Sequence, residues 1–521
     1  MFVKDLPKDF YSVIHGKQCL LLVNFDVDAI CASKILQTLF KTDNVVYTLV
    51  PVQGACDLLK AYQENAAEVE YVIMINCGGT INIIDFCEVE PEKRVVFFVL
   101  DSHRPYNLGN IYNGKQVRIL GEPNVEEVIP EYNDVFRDDS SDEEDGGDED
   151  DKSDHENESV QAKKIRLHET RILRRKKKRA WERKKLDTLS NYEEYSYYGK
   201  SSAVIAFELT WQISRDNLHM LWWAIVGSTE QFIMGKVDSS TSVLESGNLQ
   251  DHVSRLSRMR SCDGDKQQLS AIKISFDKDL QLALYHHWTV EDSLRHSIPS
   301  AVALRLWSMK GEQRLRELLA EMGLPLAQSK QRFSSMDLNL KKEFRTMMET
   351  LAEKYKISSV IGSSFTVQYG YKFKFSASDV VYAMLATLES TSRDRSPKLC
   401  FFEASDCLTR TQKDILDKGI ERAKCMLIHI YKTAQTMLEM KQITNAGTFY
   451  YIVITEASMN NLFSHPHALV LLAQLILRAR VESSRNQKLK ASPLVASANL
   501  SIDSDTCLIV GVPPVSAEQP K

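Results

Sequence analysis

Hydrophobic positions along the chain fall into two rhythms. In the first hundred residues, Cys19–Val23, Val45–Val52, Tyr71–Ile75 and Val95–Leu100 are short runs rich in Val, Ile, Leu and Phe that do not alternate with polar residues. Strands buried on both faces carry this pattern, so it predicts parallel strands of an open sheet. Between them, Ile30, Ile35, Leu36 and Leu39 within 27–40, and Leu58, Leu59 and Tyr62 within 55–63, recur at helical spacing. A β-α-β-α-β order with right-handed crossovers follows. Apolar stretches at 203–213 and 217–233 predict two helices that complete this first domain.

From Leu280 to about Tyr355 the period is helical, with Val302, Leu304, Leu306 and Trp307, then Leu315, Leu318 and Leu319, before the stop at Gly323-Leu324-Pro325. Tyr369, Tyr371, Phe373 and Phe375 then alternate with Lys372 and Lys374, which predicts a strand packing its rings into a domain junction, followed by a helix opening at Ser378 or Asp379. The last part reads as a long helix over 406–440, strand Tyr450–Ile454, helix Ala468–Arg480, and strands Leu494–Ser497 and Cys507–Val512. The expected fold class is α/β: an open, mostly parallel-sheet domain over 1–235, a helical middle domain over 236–390, and a small α/β domain over 405–521.

Composition narrows the class. A chain of 521 residues, 43 % hydrophobic and 26 % charged, is long enough for about three domains that each bury a core. That excludes a small disulfide scaffold or a fibrous chain. The ten cysteines are scattered singly with no CxxC pair, as expected in a reducing compartment, cytosol or nucleus. Met1–Phe10 carries Lys and Asp rather than an apolar run, and the longest apolar stretch, 468–477, is broken by Gln474. Neither secretion nor a membrane partner is expected.

The net charge of −5 conceals two opposed blocks. Asp138–Glu158 holds thirteen acids against Lys152, and Lys163–Lys185 holds thirteen bases against Glu169 and Glu182. The blocks nearly cancel, leaving about −4 on the rest and no global basic face for duplex nucleic acid. The acidic insertion, 138–160, has too little apolar surface to offset its chain entropy and is expected to be disordered. Within it Ser140, Ser141 and Ser153 each precede an acid by three residues, a pattern suited to acid-directed kinases. The basic block, with Ile165, Leu173, Trp181 and Leu186 spread through it, predicts an exposed helix over 161–187. Its core, Arg174, Arg175, Lys176, Lys177, Lys178 and Arg179, suits nuclear import or a nucleic-acid contact.

Three predicted strands end in groups able to coordinate a cation: Asp26-Val27-Asp28, Asn76-Cys77-Gly78-Gly79 and Asp101-Ser102-His103-Arg104. Any one of these aspartates alone reads first as a helix cap. Three strands ending alike point to a ligand site, because open α/β sheets bind ligands outside the carboxyl ends of their strands. An Asp-x-Asp pair can share one metal or bridge two about 3.5–4 Å apart, and a His beyond another Asp adds a nitrogen ligand. The pairs His286/His287 and His465/His467 lack acids at ligand spacing and read as structural.

These segments, with Gly227-Ser228-Thr229-Glu230, resemble the four motifs of the DHH phosphoesterases, which include the RecJ single-strand exonucleases. The resemblance implies a pocket of Asp26, Asp28, Asn76, Asp101, Ser102, His103 and Glu230 where the enzymes hold two Mn or Mg ions. Here Asn76 stands in place of Asp, Ser102 in place of the first His, and Glu230 where Asp is expected, so the second metal should be lost. The chain also shows no Gly-Gly-Gly-His stretch of the kind the enzymes use to grip nucleic acid. Asp26, Asp28, Asp101 and His103 could still hold one divalent ion weakly; no cofactor is expected.

Read as a whole, Val23–Pro51, Asp101–Pro105, the acidic-then-basic insertion, the segments 221–227 and 322–326, Phe373–Val381 and Ser501–Pro514 resemble the eukaryotic cell division control protein 45 family, a degenerate RecJ-like group. That resemblance implies a nuclear, non-catalytic subunit of the replicative helicase. Its partners would be the minichromosome maintenance hexamer, the GINS tetramer, DNA polymerase and initiation factors, with single-stranded DNA as a further ligand. It also implies a further helix and strand past the last strand, so an end at Lys521 reads as a truncated C-terminal domain. The alternative function is an active metal-dependent single-strand nuclease or phosphoesterase.

Overall fold

The computed structural model of the chain describes residues 1–65, 69–90, 93–123, 127–136, 160–262, 272–357, 360–370, 373–391, 395–454, 460–483, 490–500 and 506–515. The acidic stretch 138–159, with Ser140, Ser141 and Ser153, lies outside the described residues.

Six parallel strands form the N-terminal sheet, in the order Phe2–Val3, Val117–Leu120, Val96–Leu100, Tyr71–Ile75, Gln18–Asn24 and Val46–Val52. In the three central strands the apolar runs lack alternation because both faces are covered, whereas the edge strand Val46–Val52 leaves Val46 and Thr48 exposed. Leu21, Val23, Ile73, Ile75, Phe98 and Leu100 pack toward the helices Val27–Thr42, Ser202–Gln212 and Leu218–Ile233. Leu20, Leu22, Val72, Met74, Phe97 and Val99 face the side carrying helix Ala55–Asn65. The register pairs Val23 with Ile75 and Ile75 with Leu100, so three central strands end flush. After Gln18–Asn24 the chain continues to an edge strand, then returns to Tyr71–Ile75 on the other side. The crevice between those two strands is the switch point where ligands bind in such sheets.

The region 236–390 is not purely helical. A three-stranded antiparallel sheet, Ile272–Leu280, Ile361–Tyr369 and Phe373–Ser376, accompanies helices such as Met309–Glu321 and Leu338–Lys354. The aromatic alternation expected to form one strand is split by a turn at Gly370, whose φ is +64°. Phe375 is buried and stacks on His287 with ring centroids 5.4 Å apart, whereas Phe373 is exposed beneath the Lys413 ammonium. Tyr371 lies outside the described residues.

The long helix read over 406–440 is present as Lys413–Glu439, starting later than expected, and a separate helix, Pro397–Asp406, precedes it. A four-stranded sheet, ordered Thr444–Asn445, Tyr450–Ile454, Leu494–Asn499 and Cys507–Val512, backs onto helix Pro466–Ser483. One apolar core runs from Val3 through Leu284 and Leu385 to Val512, tying these parts together. No helix among the described residues is long and apolar enough to cross a membrane.

Candidate functional site

Asp26, Asn76 and Asp101 each follow one of the three flush strands, so the sheet itself brings them together. Asp26 caps helix Val27–Thr42: its Oδ1 accepts the Ala29 N–H at 2.6 Å, and its Oδ2 accepts the Asn24 amide at 2.8 Å. Asp28, in the first turn of that helix, reaches the start of Ser202–Gln212. It accepts the Ser201 hydroxyl at 2.5 Å and the Ser202 and Ala203 N–H groups at 2.9 and 3.0 Å. A carboxylate on the free N–H groups of a helix start is a favourable arrangement that needs no metal. Helix Leu218–Ile233 passes so close that a Cβ on Gly227 would stand 2.7 Å from both Asp28 Oδ1 and the Ala203 Cβ.

Asn76 fills the space between the two aspartates. Its amide Nδ2 donates to Asp26 Oδ1 and to Asp28 Oδ2, each at 3.1 Å, while its Oδ1 accepts the Ser202 hydroxyl at 2.5 Å and the Ser102 N–H at 3.1 Å. Its backbone is left-handed, with φ +51°, a conformation Asn tolerates better than most residues. An aspartate at this position would present oxygens to two carboxylates and would need a cation between them. The amide supplies the donors instead.

Asp101 accepts the Gly79 N–H at 2.9 Å and, from His103, both the backbone N–H at 2.9 Å and a 2.6 Å ring contact at Nδ1. Burial alone would raise the Asp101 carboxyl; the His103 charge and these donors hold it below its ordinary value. Burial pulls the His103 imidazole down, but Asp101 outweighs it and holds the ring above its ordinary value. Asp28 is pushed upward by burial and then by the Asp26 charge, against its hydrogen bonds to Ser201, Ala203 and Asn76. Asn110, fully buried, braces the loop after Asn76 by donating to the Gly78 and Ile81 carbonyls and accepting the Ile83 N–H.

Glu230 is fully buried and pairs with Lys236, Nζ to Oε1 at 2.8 Å. Burial lowers the Lys236 ammonium, yet Glu230 and Asp26 together hold its pKa far above the ordinary value. The same ammonium lies 5.2 Å from the Tyr198 ring, which in turn packs against His103. Lys236 is therefore a cation built into the pocket. None of the four motifs contains it; it comes near Glu230 because the chain reverses at Gly235, with φ +67°. Two buried atoms, Ser102 Oγ and Glu230 Oε2, have no hydrogen-bond partner among the described residues.

These residues do not fit a pair of dications. The oxygens of Asp26 and Asp28 are taken by amide, hydroxyl and backbone donors, and among the described residues no three His, Cys, Asp or Glu side chains are grouped to hold a metal ion. Arg174–Arg179 lie elsewhere, exposed on helix Val160–Glu193, which is longer at both ends than the sequence predicts. The histidine pairs do find acids, through the fold rather than through chain spacing. His467 Nδ1 is 3.1 Å from Glu389, and His286 and His287 face Asp379 at 3.8 and 3.5 Å.

Fold and pocket together define a class: an open parallel α/β protein with an acidic crevice at its strand switch point that is filled by its own side chains. The chain belongs to the CDC45 family, whose profile matches residues 19–165 and 131–521. It is 41 % identical to the cell division control protein 45 homolog of Mus musculus over 518 residues, 99 % of this chain and 90 % of that protein. The Homo sapiens homolog is 40 % identical over the same coverage. A crystal structure of CDC45 from Entamoeba histolytica superposes with a TM-score of 0.71 at 21 % identity, covering 99 % of this chain and 90 % of that one, and shares the fold.

Proposed function

We propose that this chain is a non-catalytic scaffold subunit of the replicative DNA helicase, bridging the minichromosome maintenance ring and the GINS tetramer in the nucleus. Membership of the CDC45 family supports a role in DNA replication. The observation that carries the non-catalytic reading is the Asn76 amide bonded to both Asp26 and Asp28. A two-metal phosphoesterase clamps its substrate with dications held by free carboxylates, and here those oxygens are spent on protein donors. DNA polymerase and initiation factors are further expected partners. Single-stranded DNA, if bound, would be held weakly alone, because the chain outside the two charged blocks carries a net charge of about −4, and with steep salt dependence, because its attraction would come from phosphate contacts. No cofactor is required.

The test is a nuclease assay on the purified full chain with Mn or Mg, using single-stranded DNA and pyrophosphate as substrates. No turnover is expected. Metal-dependent hydrolysis that disappears in Asp26→Ala would overturn the reading.

A further inference from the structure

A second cavity, of about 1170 Å³, opens between the middle region and helix Lys413–Glu439, away from the acidic crevice. One wall carries Arg332, Lys341 and Lys374; the helix contributes Lys418, Arg422 and Lys424. Arg332, Lys374 and Lys418 make no ion pair among the described residues, and Lys341 donates only to the Ser334 carbonyl, at 2.5 Å. Between these cations lie the apolar Phe333, Ile420, Met426 and Leu462, and three acids, Glu389, Asp417 and Glu421, each already set against a cation, His467, Lys413 and Lys424. Among the helix residues that line the cavity, 418, 421, 422, 425 and 429 recur at i, i+3, i+4, i+7 and i+11, a stripe about 17 Å long, with 417, 420, 424 and 426 flanking it.

We propose that this groove docks an acidic amphipathic helix from a protein partner. Apolar lining between cationic walls complements an apolar stripe flanked by Glu and Asp, and the length of the stripe suits about three turns of such a helix. The aliphatic floor of Ile420, Met426 and Leu462 favours apolar side chains over a phosphate backbone, which would leave it uncovered. The inference rests on the scaffold reading and deepens it by giving the chemistry of one partner.

The test uses the full chain and a fluorescein-labelled 18-residue peptide with Leu at i, i+3, i+4 and i+7 and Glu at its other positions, followed by anisotropy at low and high salt. Binding is expected, weakened at least tenfold in Lys341→Glu/Lys374→Glu/Lys418→Glu and again when the peptide carries Gln for Glu or Ser for Leu. Thermal midpoints check folding, and the exposed double variant Lys374→Glu/Lys418→Glu serves if the triple variant misfolds. Absence of binding, binding unchanged in the variants, or displacement of the peptide by oligo-dT lost in the same variants would each overturn the proposal. No helicase component is present, so failure here leaves the scaffold reading standing, while nuclease turnover would sink that reading without altering the peptide result.

Discussion

In the crevice, Asp26, Asp28, Asp101 and Glu230 are each at most 3 % exposed, and each has fixed donors within hydrogen-bond reach. On helix Val160–Glu193 the side chains of Arg174–Arg179 are all exposed, and the helix is fastened to the body by its C-terminal third. There Tyr192 donates to the Tyr106 carbonyl, Leu189 packs on the core, and Lys184 meets Asp134 at 2.6 Å. Buried charge must be matched in place, because an unmatched carboxylate loses its hydration without return. Exposed charge keeps its water and costs folding almost nothing, so it stays available for recognition. In this chain the acidic crevice is part of the folding core, while the bases of Arg174–Arg179 stand exposed on a helix anchored elsewhere.

The largest expected effect comes from undoing the exchange in the crevice. Asn76→Asp removes two donated hydrogen bonds and sets a third carboxylate 3.1 Å from Asp26 and Asp28. Breaking a buried charge arrangement in this way costs about 3–5 kcal/mol, and the thermal midpoint in EDTA should fall by roughly 3–5 °C for a chain of this length. Adding Mn should recover part of the loss, since a dication can replace the missing donors. An unchanged midpoint would show that the amide is not what neutralises the pair. Next in size is Lys236→Met, which leaves Glu230 buried and unpaired at a cost of about 3 kcal/mol. Adding Glu230→Gln should bring urea stability back to within about 1 kcal/mol of the parent, because the charge and its partner leave together. Equal losses in the single and double variants would break the pairing argument.

What the sequence made legible follows from run length and residue type. Three strands were readable because each has at least four consecutive buried apolar residues, and Val46–Val52, at the sheet edge with Val46 and Thr48 exposed, was readable from its Val-rich composition; the helices at 203–213 and 217–233 emerged within a residue or two at each end. Phe2–Val3 and Val117–Leu120 escaped: one has two residues, and the other is interrupted by Arg118. Ile272–Leu280 could have been found, since Ile272, Ile274 and Phe276 alternate with polar residues before Leu280. In the crevice the motif residues were readable from their strand ends, and Asn76 and Ser102 stood out as departures. Ser201 had a signal as a cap before an apolar helical run. Lys236 had none, because its position depends on a chain reversal and on burial against Glu230, neither of which is encoded in residue spacing.

The smallest effect on folding, and the sharpest test of the contrast, is at the exposed helix. Replacing all six of Arg174, Arg175, Lys176, Lys177, Lys178 and Arg179 with Ala should move the thermal midpoint by no more than about 1 °C. These side chains are exposed, Ala is a better helix former than any of them, and the helix is held by residues beyond Lys184. Function should respond where stability does not: nuclear accumulation of a fluorescent fusion should drop, and any binding to oligo-dT should weaken with a shallower salt slope, because fewer counterions are released. A loss of several degrees would mean that the bases are matched to acids of the body much as the crevice is matched internally, and the two regions would then differ in exposure but not in role. Unchanged import together with an unchanged salt slope would remove recognition from the helix and leave its charge without a use.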